Sequence, residues 1–239
     1  KMHYFELDDG YIGVMLNLHT LPAVNAQIQE QFENIYKLDW PEGTFVQTIF
    51  WASDDISPPI KRLKALHGGR QTGAANEQLD AVSENLCQFY YDAAENGFAG
   101  TECKPRNFEV YLTFKIPTKR FKPSDKELAQ LYSLRRDVNE ALSNIGMAPS
   151  EMDDWSWWAM MNRLHNRGKE AAWRSGTYTP DPSRLPREQV QEIGGKIEFH
   201  DDCVQIDNQF VASLSPKYYP KAMTFGDMLN IYNDWKYGT

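Results

Sequence analysis

The opening stretch of the chain most constrains its fold, because it has the pattern of a strand, a helix and a second strand. The run 11–17 (YIGVMLN) is apolar and predicts a buried strand, and the run 45–51 (FVQTIFW) predicts another. Between them, apolar residues from Val24 to Ile35 recur at helical spacing. A β-α-β unit of this kind normally places two parallel strands in one sheet, so we expect a mixed β-sheet.

Further strands and helices extend this unit. The turn sequence Asp8-Asp9-Gly10 predicts that the chain opens with a hairpin. Strict alternation over 108–116 predicts a strand with one buried face. A capping-box pair, Ser124 and Glu127, predicts the start of a long helix. The fold class is therefore α+β, with helices packed on the sheet.

A helical insertion at about 56–97 interrupts the order of strands. Its glycine-rich loop at 68–73 predicts a connection between two helices, with anion binding at the loop as the less favoured alternative. The second of these helices has an apolar stripe through Leu79, Val82, Leu86, Phe89, Tyr90 and Ala93. We expect this helical pair to lie on the sheet.

The remaining sequence divides the chain into two parts. Residues 1–178 form the N-terminal α+β domain, and the proline-rich run at 179–186 begins a linker. Short β runs follow, and a terminal helix is expected from Phe225 to Trp235. We expect this segment, 179–239, to pack on the same domain.

Composition limits the classes of function. The chain has 239 residues, 41% of them hydrophobic, and a net charge of -8, which indicates a globular protein and disfavours a nucleic-acid or anionic-membrane surface. Three widely spaced cysteines predict reduced thiols in a cytoplasmic protein. No apolar run is long enough to predict a membrane-spanning helix. The two ends of the sequence look cut, so we expect a domain of a longer protein.

A search for chemistry finds no catalytic, cofactor or metal residue to predict. Gly195-Lys196 resembles the end of a phosphate-binding loop, but Val190 and Ile197 stand where that motif needs a glycine and a hydroxyl residue. The acidic pairs at 8–9, 54–55, 153–154 and 201–202 fit turns and helix starts better than a metal site. His200 and Cys203 are close enough to share a metal, but no third ligand is identifiable. The fragment is expected not to be an enzyme.

One segment, from Trp155 to Arg174, predicts a surface for a partner. It contains more large aromatic side chains than a single buried stripe can accommodate, and basic residues follow them. Burial of this helix on two sides is the favoured interpretation, and contact with a protein or a lipid surface is the alternative that gives the segment a function. The candidate partner-binding residues are Trp155, Trp158, Arg163, Arg167, Lys169, Trp173 and Arg174.

Three blocks of sequence carry a resemblance to a known family. These are 7–14 (LDDGYIGV), 40–53 (WPEGTFVQTIFWAS) and 214–220 (LSPKYYP). Together they resemble the N-terminal region of the TraC-type conjugation ATPases, the F-type relatives of the VirB-family ATPases of type IV secretion and pilus assembly. In that family the nucleotide-binding motor, which uses ATP and Mg²⁺, lies C-terminal to such a region.

The resemblance implies a non-catalytic assembly domain that helps to place the ATPase at the cytoplasmic face of the bacterial inner membrane. Its implied partners are other inner-membrane secretion subunits and the ATPase itself, with a homo-oligomer as one possibility. Two other functions stay open. One is a metal-dependent enzyme that uses acidic pairs such as Asp54-Asp55 and Asp201-Asp202; the other is a single-stranded nucleic-acid-binding module built on the basic residues of 163–174.

Overall fold

The structure is a computed structural model that describes residues 3–21, 25–67, 74–98, 101, 103–120, 122–166, 171, 173, 181–190, 196–207 and 209–213. Its strands are β1 (Phe5–Leu7), β2 (Tyr11–Leu18), β3 (Phe45–Ser53), β4 (Asn107–Pro117), β5 (Ser150–Glu151), β6 (Ile197–Phe199), β7 (Val204–Ile206) and β8 (Gln209–Val211). Its helices are α1 (Ala26–Tyr36), α2 (Ser57–His67), α3 (Ala74–Asn96), α4 (Asp125–Asn144), α5 (Asp154–His165) and α6 (Pro186–Gln189). The predicted α+β class is confirmed.

The main sheet has the strand order β1-β2-β4-β3, and β5 also pairs with β2. Its neighbouring strands are antiparallel throughout the described residues. β2 and β3 run in the same direction, as the β-α-β pattern predicts, but β4 lies between them. The expectation of a mixed sheet with adjacent parallel strands is corrected on this point, because a strand from much later in the sequence pairs with both.

A tight hairpin opens the fold, as the sequence 8–10 predicts. Leu7 pairs with Tyr11 across the turn, and the Gly10 N–H donates a hydrogen bond to the Leu7 carbonyl oxygen at 3.2 Å. Gly10 has a φ of 78°, a conformation that glycine adopts without the clash that a Cβ would cause. The glycine therefore fixes the register of β1 on β2.

One face of the main sheet packs against α1 and α4. Even-numbered side chains of β2 and β4 enter this layer, and α4 contributes side chains at helical spacing. The buried members from these three elements are Ile12, Val14, Leu16, Leu18, Val110, Leu112, Phe114, Ile116, Leu131, Leu134, Val138 and Leu142. Removal of this apolar surface from water is the main favourable term for folding. The predicted buried face of β4 is confirmed.

The opposite face is also covered, because α5 packs on it. Met15 and Tyr111 contact Met152 and Met160 in this second cluster. Tyr111 is only 1% exposed, although the alternation of β4 places it on the polar side with Glu109. The prediction of a single buried face for β4 was wrong at this point, since alternation within a strand does not reveal a helix that packs on it from elsewhere.

β3 forms an edge of the main sheet. Within the described part of the chain, β4 is its one strand neighbour. Its nine residues, FVQTIFWAS, include no charged residue and no proline, and Phe45 and Val46 are exposed. Natural edge strands usually carry charges or prolines that oppose pairing with another chain. β3 lacks both of these features.

α4 begins with the capping box that the sequence predicts. The Glu127 N–H donates to the Ser124 Oγ at 3.4 Å, and the Ser124 N–H donates to the Glu127 Oε2 at 2.8 Å. The Lys119 N–H donates to the other carboxylate oxygen at 2.8 Å. Hydrogen bonds from the Ser124 hydroxyl and N–H, and then from Lys119, favour the charged form and lower the pKa of Glu127 to about 2.

α2 and α3 form the predicted helical insertion. Ile56, Ile60 and Cys87 are the buried members of a small cluster between them, and Lys64 pairs with Glu84 at 2.7 Å. The predicted loop at 68–73 lies outside the described residues. The insertion therefore has a small core of its own.

The apolar stripe predicted for α3 is exposed in its first part, whereas towards its end Ala93 is buried and Tyr90 packs against the small cluster. Val82 is 63% exposed, and Leu79, Leu86 and Phe89 are exposed as well. Among its described residues, the buried positions of α3 are those of small side chains, Ser83, Cys87 and Ala93. Small side chains let two helices approach closely, which explains why this face packs and the larger side chains do not.

Three short strands, β6, β7 and β8, form a second antiparallel sheet. Asp201-Asp202 lies in the turn between the first two, as predicted, and Asp207 near the second turn has a φ of 55°. The predicted terminal helix, Phe225 to Trp235, lies outside the described residues. The division of the chain at residue 178 stays a prediction.

The first core offers a test of the packing. Leu131 is 0% exposed, so Leu131→Ala leaves a cavity and we expect it to lower the free energy of unfolding by about 2–5 kcal/mol. The exposed neighbour provides the matched control, since Gln130→Ala changes the same helix without a cavity. Urea denaturation measures both variants. Equal stability of the two would contradict the assignment of Leu131 to the core.

The capping box predicts a dependence of stability on pH. The folded pKa of Glu127, about 2, lies below its ordinary value of 4.5, so its contribution is complete above the ordinary value and is lost as the pH falls towards 2. Glu127→Gln should therefore lose less stability than the native chain between about pH 6 and about pH 3. Denaturant titrations at the two pH values compare them, and parallel losses would refute the role of this carboxylate.

Candidate functional site

A groove opens between α2 and α5, beside the adjoining ends of β2 and β4. Its volume is about 960 Å³. α2 contributes Lys61 and Arg62, α5 contributes Trp155 and Arg163, and β4 contributes Glu109. We call it the α2–α5 groove. It lies beside the aromatic segment that the sequence singles out.

An ion pair between α5 and β4 forms part of the groove wall. Arg163 donates from Nη1 to the Glu109 Oε1 at 2.9 Å and from Nη2 to the Oε2 at 3.0 Å. Both side chains are mostly buried. The planar guanidinium matches the two carboxylate oxygens, which gives this pair a fixed geometry. The pair therefore holds α5 at a defined position on the sheet.

Every lone-pair direction of the Glu109 carboxylate has a partner. The Asn107 Nδ2 donates to Oε1 at 2.8 Å, and the Tyr111 hydroxyl donates to Oε2. With the two bonds from Arg163, each oxygen accepts two hydrogen bonds, which is its full capacity. Burial, and then the hydrogen bond to Glu109, raise the pKa of the Tyr111 hydroxyl, so Tyr111 remains a donor at neutral pH. The role of this carboxylate is therefore structural.

Arg163 has further partners besides Glu109. Its Nη1 lies 4.0 Å from the Asp55 Oδ2, and its guanidinium lies 5.1 Å from the centre of the Trp51 ring. Burial lowers the pKa of Arg163, but the hydrogen bonds and charge of Glu109, with Tyr111 and Asp55, outweigh it and raise the pKa. Asp55 also accepts a bond from the Ser57 N–H at 3.0 Å where α2 begins. Asp55 thus has the structural use that the sequence favours for the acidic pair 54–55.

The tryptophans of α5 have different environments. Trp155 is 54% exposed at the groove, whereas Trp158 is 6% exposed, with ring centres 6.4 Å apart. Met160 is buried against the sheet on another side of the helix. Most of α5 is therefore buried on two sides, as the favoured interpretation of this segment predicts, and Trp155 is its exposed aromatic residue.

The other candidate partner-binding residues have separate positions. Trp173 is half-buried, and its Nε1 donates to the Asn166 carbonyl oxygen at 2.6 Å. Arg167, Lys169 and Arg174 lie outside the described residues. Partner binding by the whole set stays a prediction.

The remaining candidate groups have local structural roles. Asp153 caps α5 by accepting from the Ser156 N–H at 2.8 Å, and hydrogen bonds from the Ser156 hydroxyl and N–H lower its pKa. Lys196 is the lysine of the Gly195-Lys196 pair that resembles the end of a phosphate-binding loop. Its Nζ lies 2.6 Å from the Glu198 Oε1, so it forms an ion pair at the second sheet. The His200 N–H donates to the Cys203 carbonyl oxygen. Within the described ranges, no group of three His, Cys, Asp or Glu residues is arranged to hold a metal ion.

Sequence reasoning missed Glu109, Lys61 and Arg62 as groove residues. Glu109 has the position of a polar residue on the alternating strand, and nothing in its spacing to Arg163 indicates a contact over 54 positions. The available signals were a glutamate beside Tyr111 on a strand and an α2 sequence with basic but no acidic residues. Neither signal identifies a partner without the tertiary structure.

Comparison with known proteins gives the family. A family model described as "TraC protein" matches residues 1–236. The chain belongs to the TraC protein family. The resemblance read from the three sequence blocks is therefore confirmed, although the block at 214–220 lies outside the described residues. Membership of this family supports involvement in F-type conjugation and type IV secretion.

No curated protein and no solved structure matches this member of the TraC family. Among its described residues, none of the helices is both long enough and apolar enough to cross a membrane.

The ion pair in the TraC groove wall predicts a large stability effect. Arg163→Met leaves Glu109 buried without its cation, so we expect a loss of about 3–5 kcal/mol in unfolding free energy. The double variant Arg163→Met/Glu109→Gln should recover part of that loss, because the uncompensated charge is gone.

Urea denaturation compares these variants with Arg136→Met. Arg136 is exposed and pairs with Asp137 at 3.2 Å, so its loss should cost less than about 1 kcal/mol. If Arg163→Met costs no more than this control, the buried pair does not hold α5 in place.

Proposed function

We propose that this TraC family chain is a non-catalytic assembly domain, which docks a conjugative type IV secretion ATPase for pilus assembly and DNA transfer. The observation that carries the proposal is the exposure of Trp155 beside the α2–α5 groove, on a helix whose neighbouring Trp158 and Met160 are buried. An exposed tryptophan beside a concave surface is a frequent anchor of protein interfaces. The family match supports the cellular context.

The proposed setting follows from the family. The domain acts at the cytoplasmic face of the bacterial inner membrane as a peripheral component. Its partners are inner-membrane secretion subunits and the ATPase itself, with self-association as a further arrangement. ATP and Mg²⁺ belong to a motor domain of the full-length protein, and this region holds no cofactor of its own.

The charges of the groove favour docking over metal chemistry. The Glu109 carboxylate accepts four hydrogen bonds, and Asp55 caps α2 and faces Arg163. A metal ion would have to displace these bonds in a mostly buried position, which is costly. A nucleic-acid module receives little support from Arg163, since its guanidinium is already paired.

Recruitment to membranes tests the proposal. The full-length protein is mixed with inner-membrane vesicles from cells that carry the conjugation system and from cells that lack it. We expect sedimentation with the first vesicles only, and we expect Trp155→Ala to weaken it by a factor on the order of thirty, the usual loss for an anchor tryptophan.

The matched control is Tyr36→Ala, which removes an exposed aromatic ring from α1, away from the groove. It should sediment like the native protein. Equal sedimentation with both vesicle types, or no difference between Trp155→Ala and Tyr36→Ala, would overturn the proposed docking role.

A further inference from the structure

The two helices of the insertion carry opposite charges, basic on α2 and acidic on α3. α2 contains Lys61, Arg62 and Lys64 and no acidic residue, whereas α3 contains five acidic residues and no Lys or Arg. The ion pair between Lys64 and Glu84 uses one of the three cations. Among the described residues, neither Lys61 nor Arg62 has an ion-pair partner. Two exposed cations of α2 therefore remain available, and both line the α2–α5 groove.

The carboxylates of the same groove do not balance these cations. Glu109 has all its oxygen lone pairs engaged, and Asp55 lies against Arg163 while it caps α2. The groove thus presents positive charge to a ligand, in a chain whose net charge is -8. Cations that line a concave surface produce a stronger local potential than the same cations on a convex one. The positive charge of the groove, opposite to the net charge of the chain, favours an anionic ligand.

Apolar surface lies next to the cations. Trp155 and Tyr91 line the groove and are exposed. A volume of about 960 Å³ is at the upper end of the range for small-ligand pockets, so the groove has room for a short segment of polypeptide. A ligand that satisfies both features carries carboxylates and an apolar or aromatic side chain.

We propose that the α2–α5 groove binds an acidic peptide segment of a partner protein, with its carboxylates on Lys61 and Arg62 and an apolar side chain against Trp155. This inference rests on the proposed docking function and names the chemistry of its partner. Nucleic acid fits less well, because most of its affinity comes from Lys and Arg contacts to many phosphates and the groove offers two free cations. The buried Arg163–Glu109 pair keeps the binding surface preorganised, which lowers the entropic cost of association.

A peptide selection tests this inference even while the partner protein is unidentified. A random library of peptides of about twelve residues is selected against the full chain, once as the native protein and once as Lys61→Glu/Arg62→Glu. We expect the native protein to enrich peptides with Asp or Glu beside an aromatic residue. The charge-reversed variant should lose this enrichment and bind the selected peptides at least about tenfold more weakly.

The chain offers a matched control for net charge. Lys122→Glu/Lys126→Glu reverses two exposed cations near the start of α4 and changes the net charge by the same amount. It should enrich the same peptides as the native protein, and circular dichroism melts verify that each variant is folded. Enrichment of neutral or basic peptides, or equal losses in both charge-reversed variants, would overturn the proposal.

Two further readouts separate the possible ligands and the two proposals. If labelled single-stranded oligothymidine binds through Lys61 and Arg62 and no acidic peptide is enriched, the groove is a nucleic-acid site and the inference is wrong. If membrane recruitment depends on Trp155 but not on Lys61 and Arg62, docking stands and the acidic-peptide inference falls. If acidic peptides bind but membrane recruitment never occurs, the groove specificity stands and the proposed assembly function falls.

Discussion

The hydrogen-bonded ion pair between Arg163 and Glu109 connects α5 to the main sheet. Glu109 belongs to a central strand of the main sheet, and Arg163 belongs to the helix that covers its second face. Because a buried charge without its partner is costly, the pair strongly favours one placement of α5. That placement buries Tyr111 and Trp158, exposes Trp155 and forms one wall of the α2–α5 groove. The second core cluster, the exposed tryptophan and the groove therefore all depend on this one ion pair.

Local sequence patterns predicted local structure well. The turn at 8–10, the capping box of Ser124 and Glu127, and the alternation of β4 each depend on residues that are close in the sequence. What could not be predicted depends on distant segments: β4 enters between β2 and β3, and α5 covers Tyr111. The exposed first part of the α3 stripe has the same origin, since apolar spacing identifies a helical face but does not say that another element covers it.

The candidate site was predicted only in part. The aromatic content of 155–158 pointed to α5, but its tryptophans differ in burial because of how the helix sits on the sheet. Arg163, expected at a partner surface, is engaged within the protein, and the accessible cations are Lys61 and Arg62 on another helix. Charge counting along a sequence cannot distinguish a neutralised cation from an available one. The tertiary structure makes that distinction and so shifts the candidate binding surface from one helix to a groove between two.

The uncharged edge strand β3 affects how the isolated chain behaves in solution. Among the described residues no strand pairs with its outer edge, which is therefore a template for strand-to-strand association, and its own side chains provide no electrostatic repulsion against it. Colloidal stability then depends on the overall charge of -8, which falls towards zero as the pH approaches the isoelectric point near 5.2. Mild acid and high ionic strength both weaken the long-range repulsion between molecules, and concentrated samples are most prone to precipitation under those conditions.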